Sequence, residues 1–366
     1  MLEDDTYRAS SQYRHWSFTT AQLQETRTKT NQFAVERVQA AFQRVHSNGN
    51  HENENDKPPI DTLTVDEELA IIRWGCGMII KIAETMEFPP PQHIIATAIQ
   101  YLRRFYLTNS PMTYHPKQIM VCAFYLALKA EHWYVAIGKF VSQLSNVSED
   151  DVRAPEFLLM QGLRFTLDVR HPMRGLEGGI AEIRASADQI NCLTGQNSEK
   201  IKKRCEAAYY NARQLLKGAA QMTDAYFLYT PAQIWLAALH VADQELARDF
   251  IDTTFDRLAG HDDVKVRIQS TVESCAQLLK DYKSPDDDKA VRQELARINK
   301  KLKKCQDPEK TDIVGVARAK AAEKRDNGIE GSDAEAEKKL KKRRLEKERL
   351  EKDGDVFGPD LKNVSR

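Results

Sequence analysis

The chain has 366 residues, with 54 Lys+Arg against 54 Asp+Glu and therefore a formal net charge of zero. A dedicated nucleic-acid binder carries a basic excess, because neutralised phosphates supply most of its affinity, and the total composition shows none. The six cysteines include no C-x-x-C pair, which argues against a zinc ribbon, a redox dithiol or a disulfide framework. No signal peptide follows the acidic start and no apolar run approaches membrane-spanning length, so we expect a soluble intracellular protein.

The first predicted element is a long helix near the amino terminus. Thr19 and Gln22 have the spacing of a capping box, in which each side chain binds the other's backbone N–H. A polar stretch at 46–61, with Ile60 as its one aliphatic residue, ends the helix, so residues 1–61 are predicted to be an N-terminal segment and helix with a polar linker. The predicted apolar face of this helix consists of Ala34, Val38, Ala41 and Val45.

The central part of the chain contains an internal duplication. Residues 114–127 and 229–242 share six identical positions at a fixed offset of 115. Pro116 and Pro231 both fit the first position of a helix, where a missing N–H costs nothing. The period is too long for a solenoid of helical pairs and corresponds to about five helices per copy. The pattern predicts an all-α protein with tandem repeats at 62–168 and 169–284.

The carboxyl-terminal part changes character twice. An apolar seam of coiled-coil type predicts an amphipathic helix at 285–306, which docks either on the body of the protein or on a partner. Residues 307–366 are highly charged and are predicted to be a partly disordered tail. The tail contains one basic run, which has three alternative interpretations. It is a nuclear localisation signal, a face of a solvated helix or a nucleic-acid patch. That run consists of Lys338, Lys339, Lys341, Lys342, Arg343 and Arg344.

Several motifs together resemble one family. The run Arg-Arg-Phe-Tyr-Leu-Thr-Asn-Ser at 103–110, the Leu-Ala-Leu-Lys at 126–129 and the Thr-Asp-Ala-Tyr-Phe-Leu-Tyr-Thr-Pro at 223–231 resemble the cyclin H branch of the cyclins, in a fungal type. The Ser-Ser-Gln at 10–12 and the Arg-His-Trp at 14–16 are similar to the same branch. The resemblance covers residues 10–305. It implies an all-α fold of two tandem five-helix cyclin-box repeats with flanking helices at both ends.

The resemblance also implies a kinase-binding surface. In cyclins, the residues equivalent to Lys129 and Glu156 pair across the third and fifth helices of the first repeat. Cyclins activate a kinase by pushing its αC helix inward, which forms the Lys–Glu pair needed for ATP phosphates. The Met-Arg-x-x-Leu docking patch of mitotic cyclins is not matched at 69–74. The other positions that match the interface are Leu126, Ala130, Glu131, Phe157, Met160, Phe165 and Leu167.

On this resemblance the chain is a regulatory subunit and not an enzyme, with no catalytic, cofactor or metal residues. The implied partners are a cyclin-dependent kinase catalytic subunit, a RING-finger assembly subunit and the transcription factor IIH core, in the nucleus. The implied substrate is the C-terminal domain of RNA polymerase II, and no direct contact with nucleic acid is expected. The alternative is a DNA-binding factor of the transcription factor IIB type, which also has two cyclin-like repeats but carries a zinc ribbon that this chain lacks.

Overall fold

The computed structural model describes residues 3–47, 60–256, 262–283, 289–308, 310 and 312–319. Among these residues the secondary structure is helical, with turns and no strand. The chain divides into two compact units, 1–311 and 312–366. In the second unit, residues 313–319 are helical. No described helix is long and apolar enough to cross a bilayer.

Three helices form an N-terminal layer. The Thr19 amide donates to Gln22 Oε1 at 2.9 Å and the Gln22 amide donates to Thr19 Oγ1 at 3.2 Å, so the predicted capping box is confirmed. The Ala34, Val38 and Ala41 side chains are buried, as the helical period requires. The helices of this layer are α1 (Glu3–Arg8), α2 (Ser11–Trp16) and α3 (Thr20–Ser47).

The first repeat is built around α5 and α6. Every residue from Ile94 to Phe105 is buried, because α5 is enclosed on all sides. Pro116 is the first residue of α6, and the His115 ring accepts a hydrogen bond from the Lys117 amide. The helices of the first repeat are α4 (Val65–Thr85), α5 (Gln92–Phe105), α6 (Pro116–Ala130), α7 (Ile137–Val141), α8 (Glu149–Arg153) and α9 (Glu156–Gly162).

The second repeat is built around α14, which begins with a proline as α6 does. Thr230 and Gln233 form a capping box, and Pro231 begins the helix. A Cβ on Gly175 would lie 2.4 Å from the Trp235 ring, so only glycine lets α10 approach α14 this closely. The helices are α10 (Met173–Ala185), α11 (Ser198–Lys217), α12 (Ala219–Met222), α13 (Ala225–Leu228), α14 (Pro231–Ala242), α15 (Gln244–Asp256) and α16 (Asp262–Lys280).

The last described helix of the first unit, α17 (Lys289–Cys305), packs on the body of the protein. Ile298, Leu302 and Cys305 are buried in a cluster with residues of α3, α4 and the loop after α5. Val291, at the start of the predicted seam, is 41% exposed. Asp307 lies beyond the predicted helix, yet it is fully buried and pairs with Arg37 at 3.0 Å. The packed structure therefore continues past residue 306.

Two adjacent arginines join the N-terminal layer to both repeats. Arg104 donates to the Asp168 carbonyl and to Gln12 Oε1, each at 3.1 Å. Arg103 donates to the Gln221 carbonyl and to Asp224 Oδ1, each at 2.7 Å. Both guanidinium groups are buried, and burial lowers the pKa of Arg104 to about 10. Because each buried guanidinium donates hydrogen bonds to two different segments, the junction between the repeats is polar and geometrically specific.

Candidate protein-binding surface

The predicted ion pair between Lys129 and Glu156 is present. Lys129 lies in the last turn of α6 and Glu156 is the first residue of α9, and their Nζ and Oε1 atoms are 2.5 Å apart. Each charge lies at the helix end that its sign favours. The side chains are 39% and 30% exposed, so the pair in the free chain is expected to contribute no more than about 1 kcal/mol. The ion pair therefore contributes little to the stability of the free chain.

Large aromatic side chains lie exposed beside this pair. Phe157 is 63% exposed and Phe165 is 57% exposed. Their ring centroids are 6.1 Å apart in an edge-to-face arrangement. An exposed aromatic pair next to a charge pair makes this region a candidate protein-binding surface.

Helices α6 and α9 end in the same unusual cap. The Trp133 amide donates to the Leu128 carbonyl and the Phe165 amide donates to the Met160 carbonyl, which is the long bond of a Schellman motif. The residue before each donor has a positive φ, 59° at His132 and 52° at Arg164. This position usually holds glycine, since a Cβ is strained there. Phe165 itself has a φ of 54°, so the exposed ring projects from a strained turn.

The remaining predicted interface residues differ in exposure. Ala130, Met160 and Leu167 are half-buried at the surface. Leu126 is 4% exposed, so it supports the surface from below and offers almost no area to a partner. Glu131 is half-buried and accepts a hydrogen bond of 2.8 Å from the Thr97 hydroxyl, so its carboxylate is already engaged inside the molecule.

Glu131 begins a hydrogen-bonded series that crosses to the second repeat. Thr97 Oγ1 lies 2.8 Å from His171 Nε2, and His171 Nδ1 lies 3.0 Å from the Tyr226 hydroxyl. Gln221 Nε2 donates to that hydroxyl at 2.7 Å. Burial lowers the pKa of His171 to about 3, so the ring is neutral. The partners assign it the Nε2–H tautomer, and every donor then points toward the Glu131 carboxylate.

Sequence reasoning missed Tyr134, which is 81% exposed. It lies in the loop that follows the α6 cap, and its hydroxyl is 3.1 Å from His132 Nδ1. Lys129, four residues before Trp133, also lies over the Tyr125 ring at 5.3 Å. The available signal was the pair of aromatic residues at 133–134 directly after the lysine. The surface named here the Lys129 face comprises Lys129, Ala130, Tyr134, Glu156, Phe157, Met160, Phe165 and Leu167.

The nuclear localisation signal stays a prediction. The basic run at 338–344, interpreted as a nuclear localisation signal, lies outside the described residues. Within the residues that the structure describes, no group of three His, Cys, Asp or Glu side chains could hold a metal ion.

Comparison with known proteins identifies the fold. A family model for the cyclin C-terminal domain matches residues 171–280, which run from just before α10 to the end of α16. Cyclin CCL1 of Saccharomyces cerevisiae is 33% identical over 264 residues, which is 70% of this chain. The chain spans 63% of the length of that relative.

Two solved structures share the architecture. A chain of the CAK complex from Chaetomium thermophilum bound to ATP-γ-S superposes with a TM-score of 0.75 at 33% identity, over 88% of this chain and 96% of that one. A chain of the yeast TFIIK (Kin28/Ccl1/Tfb3) complex superposes with a TM-score of 0.55 at 27% identity, over 75% of this chain and all of that one.

These similarities confirm the predicted all-α fold with a cyclin repeat, and they do not favour the transcription factor IIB alternative. The polar junction, the paired central helices and the Lys129–Glu156 pair are consistent with the same conclusion. The chain belongs to the cyclin family, in the branch of cyclin H and Ccl1.

Proposed function

We propose that this cyclin binds and activates a cyclin-dependent kinase through the Lys129 face, and that it supplies no catalytic group of its own. The observation that carries the proposal is the Lys129–Glu156 pair flanked by the exposed rings of Phe157 and Phe165. A cyclin activates its kinase by shape, pressing the αC helix inward so that the kinase completes its own Lys–Glu pair. The aromatic rings offer the area for that contact, since Phe, Tyr and Trp dominate the buried centre of many interfaces.

The ion pair has a second use at such an interface. A partner that covers Lys129 and Glu156 removes water from them, and each charge then depends on the other for compensation. The pair contributes little in the free chain and becomes important only when it is covered. This selects a partner whose surface leaves the pair intact and hydrogen-bonds its remaining groups.

The proposal extends to the assembly in which the kinase works. The similar structures come from the CAK complex and from the TFIIK (Kin28/Ccl1/Tfb3) complex. They support a complex of this chain with a kinase subunit and a RING-finger assembly subunit. The same proposal includes the transcription factor IIH core as a further partner and a nuclear location. It also includes phosphorylation of the RNA polymerase II C-terminal domain by the kinase.

The test is reconstitution with the cognate kinase from the same organism. The isolated chain should phosphorylate nothing, and the mixture should phosphorylate a peptide of polymerase C-terminal repeats. Phe157→Ala should weaken kinase binding at least about tenfold, which corresponds to 1.4 kcal/mol. Phe33→Ala is the matched control, because Phe33 is 68% exposed on α3 and is not one of the residues of the Lys129 face. Equal loss in both variants, or none in Phe157→Ala, would place the kinase elsewhere, and phosphorylation by the isolated chain would end the regulatory interpretation.

A further inference from the structure

A cleft of about 420 Å³ opens where the N-terminal layer meets both repeats. One wall is α4, a second is the end of α5, and the third combines residues 222–227 with the end of α16. None of the residues that line the cleft belongs to the Lys129 face. The apolar part of the lining consists of Leu69, Ile72, Leu107, Met222, Phe227 and Leu278.

The cleft carries an excess of positive charge. Four cationic residues line it, Arg27, Arg73, Arg103 and Lys283, against two carboxylates, Asp224 and Asp281. Asp224 binds Arg27 through two bonds of 2.8 and 2.6 Å and also binds Arg103. Although burial would raise the pKa of Asp224, the surrounding guanidinium groups, Arg73 among them, hold it below its usual value. Asp224 therefore pairs directly with Arg27 and Arg103, while Arg73 lies near enough to lower its pKa without bonding to it.

Arg73 is the arginine of the cleft that has no carboxylate bonded to it among the described residues. It is exposed on α4, and among the described residues it forms no ion pair. Arg103 is fixed by its bonds to the Gln221 carbonyl and to Asp224, so the positive floor of the cleft is preorganised. A concave site with a net positive charge and apolar walls concentrates ligands of negative charge.

We propose that this cleft binds an acidic peptide segment of a partner protein, with a leucine-sized side chain between its carboxylates. The carboxylates bind Arg73 and Lys283 at the rim through charge-assisted hydrogen bonds. The apolar side chain lies against Leu69, Ile72 and Phe227. The proposal does not depend on the Lys129 face, since the two surfaces share no residue.

The test uses the full-length chain and a fluorescein-labelled peptide, Glu-Asp-Leu-Glu-Asp-Leu-Glu-Asp, followed by fluorescence anisotropy at low ionic strength. We expect saturable binding that weakens as salt is added, because the attraction between exposed charges is screened. Arg73→Glu should weaken binding at least about tenfold, since it replaces the unpaired cation by an anion. A twin peptide with Gln and Asn in place of Glu and Asp should bind at least about tenfold more weakly as well.

Lys202→Glu is the matched control. Lys202 is exposed on α11, does not line the cleft, and undergoes the same charge change, so this variant should keep wild-type binding. Unchanged circular dichroism melting of Arg73→Glu will show that it folds. No saturable binding, or equal binding to Arg73→Glu, overturns the proposal. Sedimentation that shows a dimer in the wild type and a monomer in Arg73→Glu assigns the cleft to a second copy of the chain, and this also overturns it.

Discussion

His132 and Arg164 occupy the same position in two helix caps, one at the end of α6 and one at the end of α9. Both have the left-handed backbone conformation, with φ of 59° and 52°, where most helices place glycine. The two caps flank the Lys129–Glu156 pair, since Lys129 precedes one and Glu156 begins the helix that ends in the other. The Lys129 face is therefore bordered by two strained turns, a common feature of binding sites.

Replacing His132 by glycine should stabilise the fold. The substitution relieves the left-handed strain and sacrifices one exposed contact with Tyr134, so we expect a gain of about 0.5–1 kcal/mol in the free energy of unfolding. Urea denaturation of the two proteins measures it. Asn146→Gly is the control, because Asn146 has the same φ of 59° but asparagine tolerates it, and its effect should be near zero. A destabilised His132→Gly chain would contradict the strain argument.

The Lys129–Glu156 pair should matter for kinase affinity and hardly at all for stability. Either single alanine variant should change the free energy of unfolding by less than about 1 kcal/mol, because both side chains are about one-third exposed. Kinase affinity should fall about tenfold to a hundredfold in each. The double variant should lose less than the sum of the singles, as residues in direct contact do.

Glu273→Ala is the matched control for this pair. Glu273 pairs with Arg248 on the second repeat, and both side chains are about half exposed. This variant should leave kinase affinity unchanged. Strictly additive losses in the Lys129 and Glu156 singles, measured by titration calorimetry, would mean that the two residues act separately.

Two adjacent carboxylates on α4 should respond to pH in opposite directions. Burial raises the pKa of Glu68 to about 7, against the weaker opposing effect of hydrogen bonds from Ser110 and Asn31. Glu67 is also desolvated, but its bonds with the Thr64 amide, Lys301 and Arg297 lower its pKa to about 2. The pKa is thus lowered at Glu67 and raised at Glu68, although the two residues are neighbours on α4.

Glu68→Gln should stabilise the protein at pH 8 but not at pH 4. The folded chain binds the Glu68 proton more tightly than the unfolded chain, so wild-type stability falls as pH rises from about 4.5 to about 7. Glutamine does not titrate, and the gain at pH 8 should reach about 3 kcal/mol. Urea denaturation at both pH values tests this. Glu67→Gln should instead destabilise at pH 8, and a gain in that variant would contradict the assignment of the two carboxylates.

Two truncations that differ by five residues should separate the packed end of the chain from the charged tail. Removing 312–366 should leave the free energy of unfolding of the first unit unchanged, because that unit ends at residue 311. Removing 307–366 also deletes the buried Asp307 carboxylate and its amide bond to the Met112 carbonyl, and it strands Arg37. The expected cost is about 1–3 kcal/mol. Equal stability of the two proteins, by urea denaturation, would show that Asp307 contributes nothing.

Local rules sufficed for the elements whose signals lie close together in the chain. The Thr19–Gln22 box and the proline at the start of α6 and α14 follow from spacing alone. The Lys129–Glu156 pair needed the family resemblance, since 27 residues separate its members and nothing in their spacing joins them.

Other features depend on tertiary structure and could not be predicted from the sequence. Glu67 and Glu68 are identical in sequence terms, and only the packing of Ser110 against one and α17 against the other distinguishes them. The left-handed conformation of His132 could not be predicted, because the sequence signal for that conformation is glycine. Asp307 belongs to a charged stretch by composition, yet Arg37, 270 residues away, binds it in the interior.

The series from Glu131 through Thr97, His171 and Tyr226 to Gln221 admits only one direction of donation. Since Glu131 can only accept and the Gln221 amide nitrogen can only donate, no hydroxyl in between can turn without losing a bond. Rotation of one repeat against the other would break several of these bonds at once. The end of α6, where Glu131 follows Lys129 in the chain, is therefore tied to the second repeat when the chain folds. A partner meets two repeats that are already fixed relative to one another, so association should proceed without a slow rearrangement between them.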